Sequence, residues 1–166
     1  MLKGILAAVA LSILMFFQRS WWPHGEVLGQ VPRTDEWHSI RSNPRAKPRP
    51  DVVVFRWEAP LFFANAGMFR QQLLHQVRRH QPRWVVLQCE AITDIDVSAA
   101  DVLERLDLEL DQVGIHIAFV ELRTRLHERL ERYGLLGGTL DRDHFYPTID
   151  EALAAIDAAD AGPKDP

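Results

Sequence analysis

The sequence holds a single cysteine, Cys89, set in an apolar run. One thiol excludes an intramolecular disulfide and any CxxC or Cys/His zinc spacing. GxxxxGKS/T, HExxH and GxSxG are also missing. Their absence removes the phosphate-cradling loop, the zinc-protease helix and the serine nucleophile elbow. There is no excess of positive charge: 19 Lys and Arg stand against 23 Asp and Glu, a net charge of −4. Such a chain lacks the basic field that draws a protein to nucleic acid. Serine is scarce as well, and Ser98 is the only one after Ser42. What remains is ordinary globular material: 166 residues, 47% hydrophobic and 25% charged, enough for one domain with a core.

Three zones follow one another along the chain. Gly4 to Phe17, GILAAVALSILMFF, carries no charge, and eight of its fourteen residues are Ile, Leu, Val or Phe. As a helix it reaches about 21 Å, short of a hydrocarbon layer of about 30 Å. Leu2, a snorkelling Lys3 and the interfacial pair Trp21 and Trp22 extend it to a crossing, so residues 1–19 read as a transmembrane helix. A signal peptide is the competing reading, but only QRSWWPHG follows the apolar core, with no small-x-small cleavage site. Residues 20–50 contain five prolines and no apolar periodicity and read as a linker. Arg19, Arg33, Arg41, Arg45, Lys47 and Arg49 outnumber the acids there, which places that side in the cytoplasm.

Residues 51–158 alternate strand and helix signals, and 159–166 read as a disordered tail. VVVFRW (Val52 to Trp57), WVVLQC (Trp84 to Cys89) and IHIAFV (Ile115 to Val120) are strands, the near-continuous apolar ones suited to burial on both faces. LFFAN after Pro60 starts a further extended piece, and Asn65 is expected to cap a helix buried through Ala66, Phe69, Leu73 and Val77. A helix over Ser98 to Val113 turns Ala99, Val102, Leu106, Leu110 and Val113 inward. Another spans Thr124 to Arg132, and Thr148 to Glu151, TIDE, is a capping box for the last. The expected fold is α/β: a mainly parallel or mixed sheet of about four or five strands with about four helices, preceded by one hydrophobic helix.

The stretch AITDIDVSAADVL (Ala91 to Leu103) follows a strand, where such folds dock ligands and partners. Asp94 and Asp96 form a DxD pair that suits Mg²⁺ by charge, yet no further ligands or phosphate loop accompany them. Ser98 has no base beside it for nucleophilic work. The structural alternative is a cap in which Ser98 and Asp101 match the S/T-x-x-D/E pattern and Asp96 adds charge at the helix start. The histidines show no ligand spacing and read mostly as solvated.

APLFFANA (Ala59 to Ala66), WVVLQCEAITDIDVSAADVL (Trp84 to Leu103), GIHIAFVELR (Gly114 to Arg123) and FYPTIDEAL (Phe145 to Leu153) together resemble the STAS domain of sulfate permease (SulP) family anion transporters. PHGEVLGQVP (Pro23 to Pro32) is similar to that family's connector after its last membrane helix. The resemblance implies a non-enzymatic regulatory or assembly domain, cytoplasmic, at the inner or plasma membrane. Met1 would then be internal to a longer transporter, or the chain a split product, since one helix cannot build a transport path. Implied partners are transporter membrane helices, a cytosolic regulatory protein and a second copy through the transporter, with no nucleic acid. The implied docking loop is Asp94, Asp96, Val97, Ser98, Ala99 and Ala100, with Phe62 and Asn65 beside it. No catalytic residue and no metal are implied; at most, purine nucleotide binds weakly at the helix start. The other STAS branch, the anti-sigma factor antagonists, is switched by phosphorylation of the serine directly after the loop aspartate. That position is Val97 here, which argues against a signalling protein of that kind.

Overall fold

In the computed structural model the described backbone comprises residues 2–21, 23–34, 36–138 and 140–160. Within the first helix the described side chains are those of 3–15; the expected tail from 161 onward lies outside the described residues. β-branched and aromatic residues set the centre of the sheet: β3 (Val52–Trp57), β4 (Trp84–Gln88) and β5 (His116–Val120). Val53, Phe55, Val85, Leu87, Ile117 and Phe119 face one buried layer, while Val52, Val54, Val86, Ala118 and Val120 face the other. Apolar residues therefore fall on both sides of every central strand, the pattern of strands covered on both faces.

The connections decide which helix covers which face. β3 leads through α2 (Phe63–His80) to β4, β4 through α3 (Val97–Asp111) to β5, and β5 through α4 (Thr124–Arg132) to the short β6 (Phe145–Tyr146), all in parallel register. Each crossover moves one strand along the sheet in the same direction. With a common right hand, all three helices land on one face. Leu73 of α2, Leu106 of α3 and Leu126 of α4 are buried in that layer. The last helix, α5 (Ile149–Asp160), closes the opposite face with Ile149, Ala152, Leu153 and Ile156. Its start shows half of the expected capping box: Glu151 N–H donates to Thr148 Oγ1 at 3.2 Å, while the Glu151 carboxylate accepts from the Thr148 hydroxyl, at 3.1 Å, in place of the backbone N–H.

The region read as a linker carries two more strands. β1 (Gly25–Gln30) lies antiparallel to β3, and β2 (Trp37–Ser39) antiparallel to β1, giving six strands in the order β2-β1-β3-β4-β5-β6. The expectation of four or five strands is thus corrected upward. The prolines misled because Pro23, Pro32, Pro44, Pro48 and Pro50 all lie outside the strands, where a missing N–H costs no ladder bond. The strand signal was the alternation in GEVLGQ, which sends Val27 to one layer and Leu28 to the other. At Gly29 a Cβ would sit 2.7–2.8 Å from the Lys47 backbone. That close approach lets Gln30 and Lys47 exchange two 3.0 Å hydrogen bonds.

α1 (Leu2–Trp21) precedes the sheet, and Ile5, Leu6, Val9, Leu11, Ile13, Leu14 and Met15 on it are exposed. Among the described residues no helix is long and apolar enough to cross a membrane. The side chains at 2 and 16–21, on which the membrane reading draws, lie outside them.

α3 is shifted from its expected bounds. Its buried residues are Ala99, Ala100, Leu103, Leu106 and Leu110, with Val102 half-buried and Val113 69% exposed. Val113 lies in the turn that ends at Gly114, φ +73°, so the helical phase no longer carries it inward. On the same helix Asp107 is half-buried, and burial, reinforced by Asp111 and Asp141, pushes its carboxyl up to about 6. The folded state then holds a proton that the unfolded chain has released, so stability falls as pH rises from about 4 to 6. Asp107→Asn should raise the melting temperature by about 2–4 °C at pH 7.5 and leave it unchanged near pH 4. Thermal melts at the two pH values test this, and an equal shift at both would contradict the assignment.

Candidate functional site

The loop after β4 is built by a short parallel contact far from its own strand neighbours. Leu61 N–H donates to Asp94 O at 2.9 Å and Asp96 N–H to Leu61 O at 3.1 Å, pairing Leu61 with Ile95. Both residues are buried, as is Ile92. The extended piece expected at LFFAN is therefore this single bridge. It brings the two predicted segments, Phe62 to Asn65 and Asp94 to Ala100, side by side.

Asp96 sits where they meet. Its backbone is extended (φ −93°, ψ 169°), and its Oδ1 accepts from Ala99 N–H at 2.8 Å, making it the N-cap of α3. Its Oδ2 accepts from Phe63 N–H, also at 2.8 Å. Phe63 is the first residue of α2. One carboxylate thus serves orphan donors at two helix N-termini, and the positive ends of both helices converge on one negative charge.

Ser98 was expected to take the cap, and the structure corrects this. The Leu61 to Ile95 pairing fixes Asp96 in extended backbone, so helical geometry begins at Val97 and Ser98 falls inside the first turn, exposed. Asp and Ser cap about equally well; the tertiary bridge chose between them. Asn65 caps α2 from inside the helix, not from the N-cap position, which is Phe62. It is the third residue of α2, fully buried, with Oδ1 accepting from Phe62 N–H at 3.0 Å and Nδ2 donating to Pro60 O at 2.9 Å. It locks the turn that presents Phe63 N–H to Asp96.

Asp94 turns the other way. Its Oδ1 accepts from Ile95 N–H at 2.9 Å, and Arg129 of α4 reaches it at 3.3 Å, with Arg125 at 3.7 Å. Tyr133 donates its hydroxyl to Ile95 O at 3.4 Å and accepts from Arg129 at 3.3 Å. The two aspartates therefore serve different elements, whereas a metal clamp needs them converged on one ion. Sequence reasoning missed Arg129 and Tyr133. The only hint was the spacing of four between Arg125, Arg129 and Tyr133, which lines them along one helix face. Cys89, beneath this loop, is buried, and burial pushes its thiol far above the usual range, so it stays a protonated apolar filler.

Two large apolar side chains stand exposed here, beside the exposed polar Thr93 and Ser98. Val97 is 56% and Phe63 72% exposed, and Phe62 packs edge-on against Phe63 with ring centres 6.1 Å apart. Ala99 and Ala100, two of the predicted site residues, turn their side chains into the core. The site offers a small hydrophobic surface held over a braced polar frame. Nothing in it is arranged as nucleophile and base.

Comparison with known proteins places this geometry. The family model described as the STAS domain matches residues 43–152. The chain is 41% identical over 155 residues to "Probable sulfate transporter Rv1739c" of Mycobacterium tuberculosis, covering 92% of this chain and 28% of that protein. The chain thus spans between a quarter and a third of that relative. Among solved structures, the murine Slc26a9 anion transporter in its inward-facing state aligns with a TM-score of 0.84 at 23% identity, over 94% of this chain and 26% of that one. The crystal structure of "a putative anti-sigma factor antagonist" from Thermotoga maritima aligns with a TM-score of 0.58 at 20% identity, over 67% of this chain and 92% of its own.

The double role of Asp96 gives a direct stability prediction. Asp96→Ala removes two caps at about 1 kcal/mol each and should cost about 2 kcal/mol, while Ser98→Ala should stay within about 0.5 kcal/mol of wild type. Denaturant unfolding of both variants decides it; a larger loss at Ser98 would reverse the capping assignment.

Proposed function

The chain belongs to the STAS domain family, and on that premise we propose that it is the cytoplasmic regulatory and assembly domain of a SulP-type sulfate or related anion transporter. It is homologous to sulfate-transporter sequences over nearly its whole length. The observation that carries the reading is where that likeness extends. Whole-transporter relatives match over 90–94% of the chain, the segment before the domain included, whereas the antagonist structure covers 67% of it and an isolated SulP transporter STAS domain 74%. Additional support comes from α1. Its 20 residues make a helix of about 30 Å, the thickness of a hydrocarbon layer. Ile5, Leu6, Val9, Leu11, Ile13, Leu14 and Met15 on it are all more than half exposed.

On this reading α1 anchors the chain in the membrane, and the surface of Phe63, Val97 and Phe62 docks onto transporter helices or a cytosolic regulator. The domain performs no chemistry. Nucleotide phosphate arriving at the α3 N-terminus must compete with the Asp96 carboxylate already seated there, which supports weak binding at most. The alternative, a signalling protein like the anti-sigma antagonists, has the shared fold in its favour. Val97 counts against it, since valine accepts no phosphate at the position those relatives modify.

Fractionating cells that express the full chain and a variant lacking residues 2–21 tests the reading. The full chain should pellet with membranes and resist salt washing, and the shortened chain should move to the soluble fraction. A full chain that stays soluble would favour the signalling alternative.

A further inference from the structure

A second feature lies away from the docking loop, between the edge of the sheet and the end of α2. There a groove of about 330 Å³ opens, floored by Val27, Ile40 and the backbone of Gly25. Gln76, Arg79 and His80 of α2 form one wall, and Arg41, just after β2, stands on the rim. Glu26 also borders it, but strand alternation turns its carboxylate toward the face that Leu28 occupies. Arg41 and Arg79 are exposed, and among the described residues neither side chain has an acidic or hydrogen-bonding partner. Elsewhere on the surface Arg49, Arg70, Arg83, Arg125 and Arg129 all reach carboxylates. Two unpaired guanidiniums over an apolar floor are the complement of an amphipathic anion.

Chain connectivity says which one. Gly25 follows Trp21, the end of α1, by four residues, at most about 14 Å of extended chain. If α1 spans the bilayer, the groove is tethered within reach of the headgroup layer. We infer that this groove binds the phosphate of an anionic phospholipid headgroup, with Arg41 and Arg79 as the phosphate ligands and Val27 and Ile40 taking the apolar glycerol and acyl stem. The planar guanidinium fork matches phosphate oxygens in pairs, and the anionic leaflet concentrates such a ligand at the surface. The C-terminal end of α2 opposes an anion. That effect is confined to the last turn, where Arg78, Arg79 and His80 place basic side chains against it.

The inference rests on the membrane anchoring proposed above, and the experiment separates the two. The full chain is placed with phosphatidylcholine nanodiscs, and co-elution with the disc scores α1. Whatever that outcome, short-chain phosphatidylglycerol is then titrated in below its micelle concentration while the amide signals of Gly25, Val27, Ile40 and Arg41 are followed by NMR. Short-chain phosphatidylcholine and inorganic phosphate are the comparison arms. Phosphatidylglycerol should give saturable shifts at these amides. The double variant Arg41→Gln/Arg79→Gln should weaken binding roughly ten- to thirty-fold, while Arg78→Gln, outside the groove, should leave it unchanged. Shifts of equal affinity with inorganic phosphate, shifts that survive the double variant, or no shift with phosphatidylglycerol would each overturn the proposal. Failure to co-elute would count against the membrane helix alone.

Discussion

A single carboxylate shared by two helices organises the functional end of this domain. Asp96 accepts from Phe63 at the start of α2 and from Ala99 at the start of α3, each at 2.8 Å. Those helices come from successive crossovers, so the bond ties together chain segments 33 residues apart. Around it Asn65, Asp94, Arg129 and Tyr133 brace the loop. Asn65 holds the Pro60 to Phe62 turn, Arg129 and Tyr133 hold Asp94 and Ile95, and Leu61 pairs with Ile95. The result is a rigid platform on which Phe63 and Val97 stay exposed. Buried polar groups left unsatisfied are costly, and here each one that shapes the loop has a partner.

That arrangement explains why an acid-rich loop need not be an acid-using one. A catalytic or metal-binding pair requires two carboxylates aimed at one point, whereas Asp94 turns to α4 and Asp96 to the helix starts. What stands exposed there is the pair Phe63 and Val97, with Thr93 and Ser98 beside them. A second surface, the groove proposed to take an anionic headgroup at Arg41 and Arg79, lies at the other end of α2. The domain would then meet its surroundings through two chemically distinct faces, one apolar and one cationic.

Much of this was legible in the sequence, for physical reasons. β3, β4 and β5 were readable because strands buried on both faces need unbroken apolar runs, and α5 because Thr148 and Glu151 form a local cap. β1 and β2 were not. A six-residue strand with a Gly at the close approach to Lys47, flanked by prolines, looks like a linker until its partner is known. Within the site, Asp96 and Ser98 were both plausible caps by type, and only the long-range pairing of Leu61 with Ile95 selected Asp96. The contacts of Arg129 were out of reach for the same reason: they depend on where α4 packs, which no local pattern encodes.

The claim that one carboxylate clamps both helix starts is tested most directly by native-state hydrogen exchange at the Phe63 and Ala99 amides, compared between wild type and Asp96→Ala. Both amides should lose protection together, by roughly five- to tenfold for about 1 kcal/mol at each, while amides in β4 change only with global stability. If Ala99 alone exchanges faster and Phe63 keeps its wild-type rate, Asp96 caps only α3 and the shared clamp is wrong.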